Sequence, residues 1–140
     1  MPTRTARAIW EGTLKEGKGN MHYSGFDGPF TFVSRFEEGE GTNPETLIGA
    51  AHAGCYSMAF SLLLGNAGFP PKKIETMAKV TLGEIDGAPR ITKIHLQTEA
   101  EVPGISAEEF QKIATETKTF CPVSAALAAV PEITLDAKLL

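Results

Sequence analysis

Cys55 and Cys121 are the only thiols in this chain of 140 residues, and thiols are the side chains best suited to redox work at neutral pH. Cys55 lies midway in Leu47–Gly65, a run without Asp, Glu, Lys or Arg, while Cys121 precedes Pro122 at a break between two helical patterns. The settings predict one buried thiol and one hinged thiol. A single buried cysteine is ordinarily an inert small hydrophobe, but two in such unlike settings point to redox chemistry. His52 stands three residues before Cys55, on the same helical face, where a base or a metal ligand is conceivable. Zinc is not expected: His52 and Cys55 supply two ligands at most, His22 and His95 fall in strand patterns, and no CxxC pair exists. His52 is read as a core histidine bonded to backbone. Gly39-Glu40-Gly41 is read as a loop, because no phosphate-binding or dinucleotide fingerprint surrounds it, so no nucleotide or flavin cofactor is implied.

The elements that must position these residues follow from the pattern. Arg7–Leu14, Met21–Tyr23 and Pro29–Phe36 read as a three-stranded antiparallel meander, with turns at Glu16–Asn20 and at Gly25-Phe26-Asp27-Gly28. Thr42-Asn43-Pro44-Glu45 opens a long helix, with Asn43 or Thr42 as cap, Pro44 in the first turn and Glu45 favourable against the helix dipole. That helix ends near Gly65–Gly68, before Pro70-Pro71. Ile74–Ile85 and Arg90–Val102 form a hairpin around Asp86–Pro89. Ser106-Ala107-Glu108-Glu109 is a capping box for a helix to about Phe120, with Phe110, Ile113, Ala114 and Thr117 on its apolar face. Pro122 then starts a short helix through Ala129, and Ile133–Leu139 is a last strand. The expected class is α+β, one domain over residues 1–140, with antiparallel sheets around a long buried helix.

Composition narrows the partners. A net charge of −4, with 13 scattered Lys and Arg, leaves no basic footprint for nucleic acid or an anionic membrane surface. Leu47–Gly65 approaches the length of a membrane span, but it carries His52, Ser57, Ser61 and many Ala and Gly, so a core or an oligomer interface is expected instead. Too few strands are available to cover a helix apolar on every side, so a homodimer is expected. The start, Met1–Arg7, runs into Ile9-Trp10 without an apolar signal segment, which suggests a cytoplasmic chain whose thiols stay reduced.

Several short blocks in order, namely Arg35, Gly41-Thr42-Asn43-Pro44-Glu45, Ala50–Ala59 around His52 and Cys55, and Phe120-Cys121-Pro122-Val123-Ser124, resemble the OsmC/Ohr family of thiol peroxidases. The thiol spacing is closer to the OsmC (osmotically inducible protein C) branch than to the organic hydroperoxide resistance branch. The resemblance covers nearly the whole chain. It implies an intertwined α+β homodimer that reduces organic hydroperoxides, with Cys55 as peroxidatic thiol, Cys121 as resolving thiol, and Arg35 and Glu45 supporting the site. A dithiol, with a lipoyl protein as leading candidate, would return the electrons.

The residues make chemical sense of these implied roles. Thiolate attack on the distal peroxide oxygen expels an alcohol and leaves a sulfenic acid. Burial raises the pKa of Cys55, so a cation beside the sulfur is needed; Arg35 can supply it, and Glu45 can hold the guanidinium through a bidentate pair. Glu45 and Cys55 are ten residues apart, roughly 15 Å along one straight helix. Either the helix breaks near Gly49 or Gly54, or Arg35 and Glu45 of one chain serve Cys55 of the other. Read without the family, the thiols are ambiguous: Cys121 at a helix N-terminus has dipole support for its thiolate. Cys55 has Tyr56, Met58, Phe60 and Leu62–Leu64 beside it for an alkyl hydroperoxide. Two other readings stand beside the enzyme: a non-catalytic binder of apolar ligands, and a redox sensor that signals through a disulfide.

Overall fold

A computed structural model describes all 140 residues, Met1–Leu140. The chain divides into two compact units, Met1–Leu47 and Ile48–Leu140.

In the first unit, β1 (Ala6–Glu11), β2 (Lys18–Tyr23) and β3 (Phe26–Phe30) form an antiparallel meander in that order. Ser24 and Gly25 make the tight turn between β2 and β3, both at positive φ (50° and 80°), so Phe26–Gly28 belong to the strand and not to the expected loop. The expected third strand, Pro29–Phe36, is cut in two. Its second half is a short helix, α1 (Phe32–Phe36). The spacing of Phe30, Phe32 and Phe36 at even positions looks strand-like, but Thr31 Oγ1 accepts the Ser34 N–H at 3.1 Å while Ser34 Oγ accepts the Thr31 N–H at 2.8 Å. This reciprocal cap satisfies two of the N–H groups that a helix start leaves orphaned, and it turns the chain.

Helix α2 (Pro44–Asn66) is unbroken over its 23 residues. It is long and apolar enough to cross a membrane by length and composition. In the second unit its buried residues are Gly49, His52, Tyr56, Ala59, Phe60 and Leu64, a stripe at helical spacing; Ala50, Ala51, Gly54, Met58, Ser61 and Leu62 face outward. Neither expected break exists: a Cβ at Gly49 would meet Val80 at an ordinary 3.4 Å, and Gly54 faces open space.

The second sheet has the order β4 (Lys73–Ile85), β5 (Ala88–Glu101), β6 (Glu132–Leu139). The β4–β5 hairpin turns at Asp86-Gly87, both at positive φ, leaving Ala88 and Pro89 in the strand. β6 pairs parallel with β5, so the sheet is mixed rather than antiparallel as expected. The return to a parallel strand requires a crossover, which α3 (Ala107–Phe120) and α4 (Pro122–Ala126) provide. Ser106 caps α3 by accepting the Glu109 N–H, and α4 ends short of the expected Ala129. Tyr56, Phe60 and Leu64 pack with Ile94 and Leu96 of β5 and with Phe110 and Ile113 of α3 to make the core.

Candidate active site

The thiols meet inside the second unit. Pro122 ends α3 at Phe120, as expected, and Cys121 occupies the corner: its N–H donates to the Thr117 carbonyl at 3.0 Å, and its own carbonyl accepts from Ala125 at 3.1 Å. The Cys121 Sγ lies 3.0 Å from Cys55 Sγ on α2, and both are free thiols. The expected burial is reversed. Cys121 is fully buried and held at both ends of its backbone, whereas Cys55, at the edge of the buried stripe of α2, is half-exposed. No hinge motion is needed to bring the sulfurs together.

The surroundings polarise the pair unequally. Burial pushes the Cys55 thiol up, the Cys121 thiol adds to this, and only the Val123 N–H pulls it down. Burial also works against a charge on Cys121, but its contact with the Cys55 thiol and the polar groups of Ser124 and Val123 at the start of α4 outweigh it, so this thiol is pulled down. These neighbours favour ionisation of Cys121 over ionisation of Cys55. Behind Cys121 stands His52, fully buried, with Nε2 at 2.7 Å from Ser124 Oγ. His52 is therefore a core histidine as expected, but bonded to a hydroxyl and not to backbone. Its Nδ1 has no partner, and burial holds the imidazole pKa down.

The other two expected residues pair in the first unit. Arg35 is on α1, not at a strand end, and Glu45 is in the first turn of α2. Arg35 Nε and Nη2 both donate to Glu45 Oε1, at 3.3 and 2.9 Å. The pair thus uses one carboxylate oxygen where a fork using two was expected; Oε2 is buried without a partner. The connection between the helices is fixed by Asn43, which caps α2 by accepting the Thr46 N–H at 2.8 Å and donates from Nδ2 to the Ser34 carbonyl at 3.1 Å. Ser34 Oγ donates to the Thr42 carbonyl at 2.8 Å. Gly41, at φ +112°, brings this loop against the Pro29 carbonyl where a Cβ would stand at 2.7 Å.

Arg35 also borders an apolar cavity of about 230 Å³, lined by Trp10, Leu14, Phe30, Phe32 and Phe36. Its guanidinium carbon lies 5.4 Å from the centre of the Phe36 ring. These aromatic residues were not anticipated as site residues. The apolar side chains expected to cradle a substrate are placed otherwise: Tyr56, Phe60 and Leu64 are fully buried, the Tyr56 hydroxyl donating to the Ala114 carbonyl at 2.8 Å, and Met58 and Leu62 lie on the outward face of α2. The clue to the other cavity was the clustering of Phe30, Phe32 and Phe36 around Arg35; a strand reading puts the three rings on one face and Arg35 on the opposite one.

The sequence model of the family described as OsmC-like protein matches residues 37–136, which include Glu45, Cys55 and Cys121. The Escherichia coli (strain K12) protein named peroxiredoxin OsmC is 51% identical over 139 residues, covering 97% of this chain and 96% of that protein. A Staphylococcus saprophyticus protein named organic hydroperoxide resistance protein-like 1 is 33% identical over 98 residues, 69% of each chain. Among solved structures, an OsmC-like protein from Mycoplasma pneumoniae superposes with a TM-score of 0.77 at 17% identity, covering 99% of this chain and 98% of that one. The organic hydroperoxide resistance protein OhrB of Bacillus subtilis superposes with a TM-score of 0.66 at 21% identity, covering 97% and 98%. At these identities the structural likeness speaks for the fold.

Proposed function

Because the chain belongs to the family of OsmC-like proteins, we propose that it is a thiol peroxidase that reduces organic hydroperoxides through Cys55, with Cys121 as the resolving thiol. The observation that carries this reading is the contact between a half-exposed and a fully buried thiol, 3.0 Å apart. A substrate can reach only the exposed sulfur. The buried one is placed to capture the sulfenic acid, since a disulfide of about 2 Å asks for roughly 1 Å of approach.

In the proposed cycle the Cys55 thiolate attacks the distal peroxide oxygen, the O–O bond breaks, and the alkoxide leaves and is protonated to the alcohol. Cys121 then attacks the Cys55 sulfenic acid, a disulfide forms, and water leaves. A dithiol, of which a lipoyl protein is one kind, restores both thiols by exchange. Cys55 needs a cation to ionise against its burial, and Arg35 held by Glu45 is suited to the task. The unpartnered Glu45 Oε2 is an acceptor for the O–H of a hydroperoxide, and the aromatic cavity beside Arg35 suits an alkyl or fatty-acid chain. Glu45 stands in the first turn of α2 and Cys55 ten residues further along the chain, and a straight helix advances about 15 Å over such a stretch. In the reading proposed here the active site is shared by a homodimer, in which Arg35 and Glu45 of one chain serve Cys55 of the other. The outward apolar face of α2 around Met58 and Leu62 supports a second copy as its cover in preference to lipid. Both units act as one domain in this reading, in a cytoplasm that keeps the thiols reduced.

Turnover of an alkyl hydroperoxide with a dithiol donor tests the proposal. Cys55→Ser is expected to consume none, because a serine hydroxyl offers no useful anion at neutral pH. Cys121→Ser is expected to react once and stall as a sulfenic acid that over-oxidises, visible as mass added at Cys55. Turnover by Cys55→Ser would end the reading; wild-type protein that forms the disulfide without sustained turnover would favour a redox sensor.

A further inference from the structure

Two polar side chains lie on the buried stripe of α2, and both reach the segment that carries Cys121. His52 is fully enclosed, with Nε2 at 2.7 Å from Ser124 Oγ on α4. Tyr56 is fully enclosed as well, and its hydroxyl donates to the Ala114 carbonyl of α3 at 2.8 Å. Cys55 stands between them in sequence, so His52, Cys55 and Tyr56 occupy positions i, i+3 and i+4 of neighbouring helical turns. Their partners follow in the reverse order along the chain: Ser124 is three residues after Cys121, and Ala114 is seven before it. The contact of the two sulfurs at 3.0 Å is thus bracketed by one hydrogen bond on each side of the corner. The remaining side-chain bonds of this stretch, from Ser57, run to the Ala53 carbonyl of its own helix and to Thr76 of β4.

Polar groups are a costly choice for a packed core, where Leu or Phe would fill similar space without a partner to find. Bonded, they add direction that apolar contact lacks. Tyr56 packs on Phe60 with ring centres 5.6 Å apart, and Phe60 on Phe110 of α3 at 5.4 Å, which gives area but little register.

We propose that His52 and Tyr56 are positioning residues that together clamp the Cys121 corner onto α2 and so set the effective concentration of Cys121 at Cys55. His52 acts through Ser124, and Tyr56 through the backbone of α3. The clamp deepens the cycle proposed above and takes its catalytic meaning from that reading. In the resolving step the Cys121 sulfur attacks the sulfur of the Cys55 sulfenic acid, the S–S bond forms and the S–O bond breaks. The oxygen departs as water, carrying its own hydrogen and the one from the Cys121 thiol. A corner free to move away would leave the sulfenic acid open to a second peroxide, because an intramolecular step depends steeply on how well its groups are held.

The test is the equilibrium of the Cys55–Cys121 disulfide with mixtures of reduced and oxidised glutathione, read by alkylating free thiols and weighing the protein. One S–S bond forms in the protein as one breaks in glutathione, and the two thiol hydrogens pass to two glutathione molecules; no peroxide takes part. Tyr56→Phe keeps the ring and deletes the hydroxyl, while Ser124→Ala deletes the partner of His52. Each is expected to lower the equilibrium constant for disulfide formation about fivefold, the effect of one net hydrogen bond. The double variant should lower it by at least about twentyfold. His52→Leu breaks the same bond as Ser124→Ala from its other end and should match it; it decides in its place if Ser124→Ala does not fold. A side chain that only filled the core would cost both redox forms alike and leave this constant unchanged. Folded single and double variants that equal the wild type would therefore overturn the clamp, even where the peroxidase cycle is right. A shift in only one of the two single variants would overturn the two-sided bracket. If the constants fall as expected and the wild type turns over no peroxide, the clamp stands and the cycle falls.

Discussion

At the scale of single residues, Arg35 and the aromatic side chains beside it carry the sharpest expectations. A cation beside a thiol lowers its pKa, so the active fraction at a given pH depends on it. Arg35→Ala should reduce the second-order rate with an alkyl hydroperoxide at neutral pH by at least tenfold. Raising the pH refills the thiolate, so the rate of that variant should climb over a range where the wild-type rate is already flat. A pH–rate profile of the variant parallel to the wild type would remove Arg35 from the ionisation of Cys55. Phe36→Ala enlarges the cavity and deletes apolar contact. Each buried methylene contributes about 0.8 kcal/mol, so this variant should lose much of any preference for a long-chain hydroperoxide over hydrogen peroxide. An unaltered ratio of the two rates would place the chain-binding surface elsewhere. The reactive residue types were legible in the sequence, because thiols, an Arg and a Glu announce their chemistry. Their exposure was not: whether Cys55 or Cys121 is sealed depends on which turn of α2 faces the core and on the corner made by Pro122, neither of which residue type reveals.

At the scale of elements, the legible parts were those with strong local signals. The capped start of α2, Ser106 before α3 and Pro122 as the first residue of α4 all appear where residue chemistry puts them. One failure comes from competition between periodicity and a local bond. Pro29–Phe36 has the alternation of a strand, yet the Thr31–Ser34 cap converts its second half into a helix and takes Arg35 with it. The parallel pairing of β6 with β5 was equally hidden, because Ile133–Leu139 would read the same in either direction. The α1–α2 connection yields a prediction of its own. Asn43 caps one helix and ties down the last turn of the other, so Asn43→Ala should cost about 1 kcal/mol in denaturant unfolding. It should also lower kcat/KM more than that loss of folded protein explains, since the Arg35–Glu45 pair would lose its registration. A variant that is less stable but fully active per folded molecule would separate capping from positioning.

For the molecule as a whole, the proposal that two chains share each site can be tested directly. If Arg35 and Glu45 act across a dimer, mixing inactive Arg35→Ala and Cys55→Ser proteins under subunit exchange should restore activity. Half of randomly paired molecules would be mixed and each would hold one intact site, so about a quarter of wild-type activity per chain is the upper limit. No recovery, with exchange shown independently, would place all four residues within one chain. If the site is shared in this way, dilution should behave as an inhibitor. A solitary chain would keep its thiols in contact and lack the cation that arms them, so activity per milligram should decline as protein concentration falls through the dimer dissociation constant, with no change in the fold of either unit.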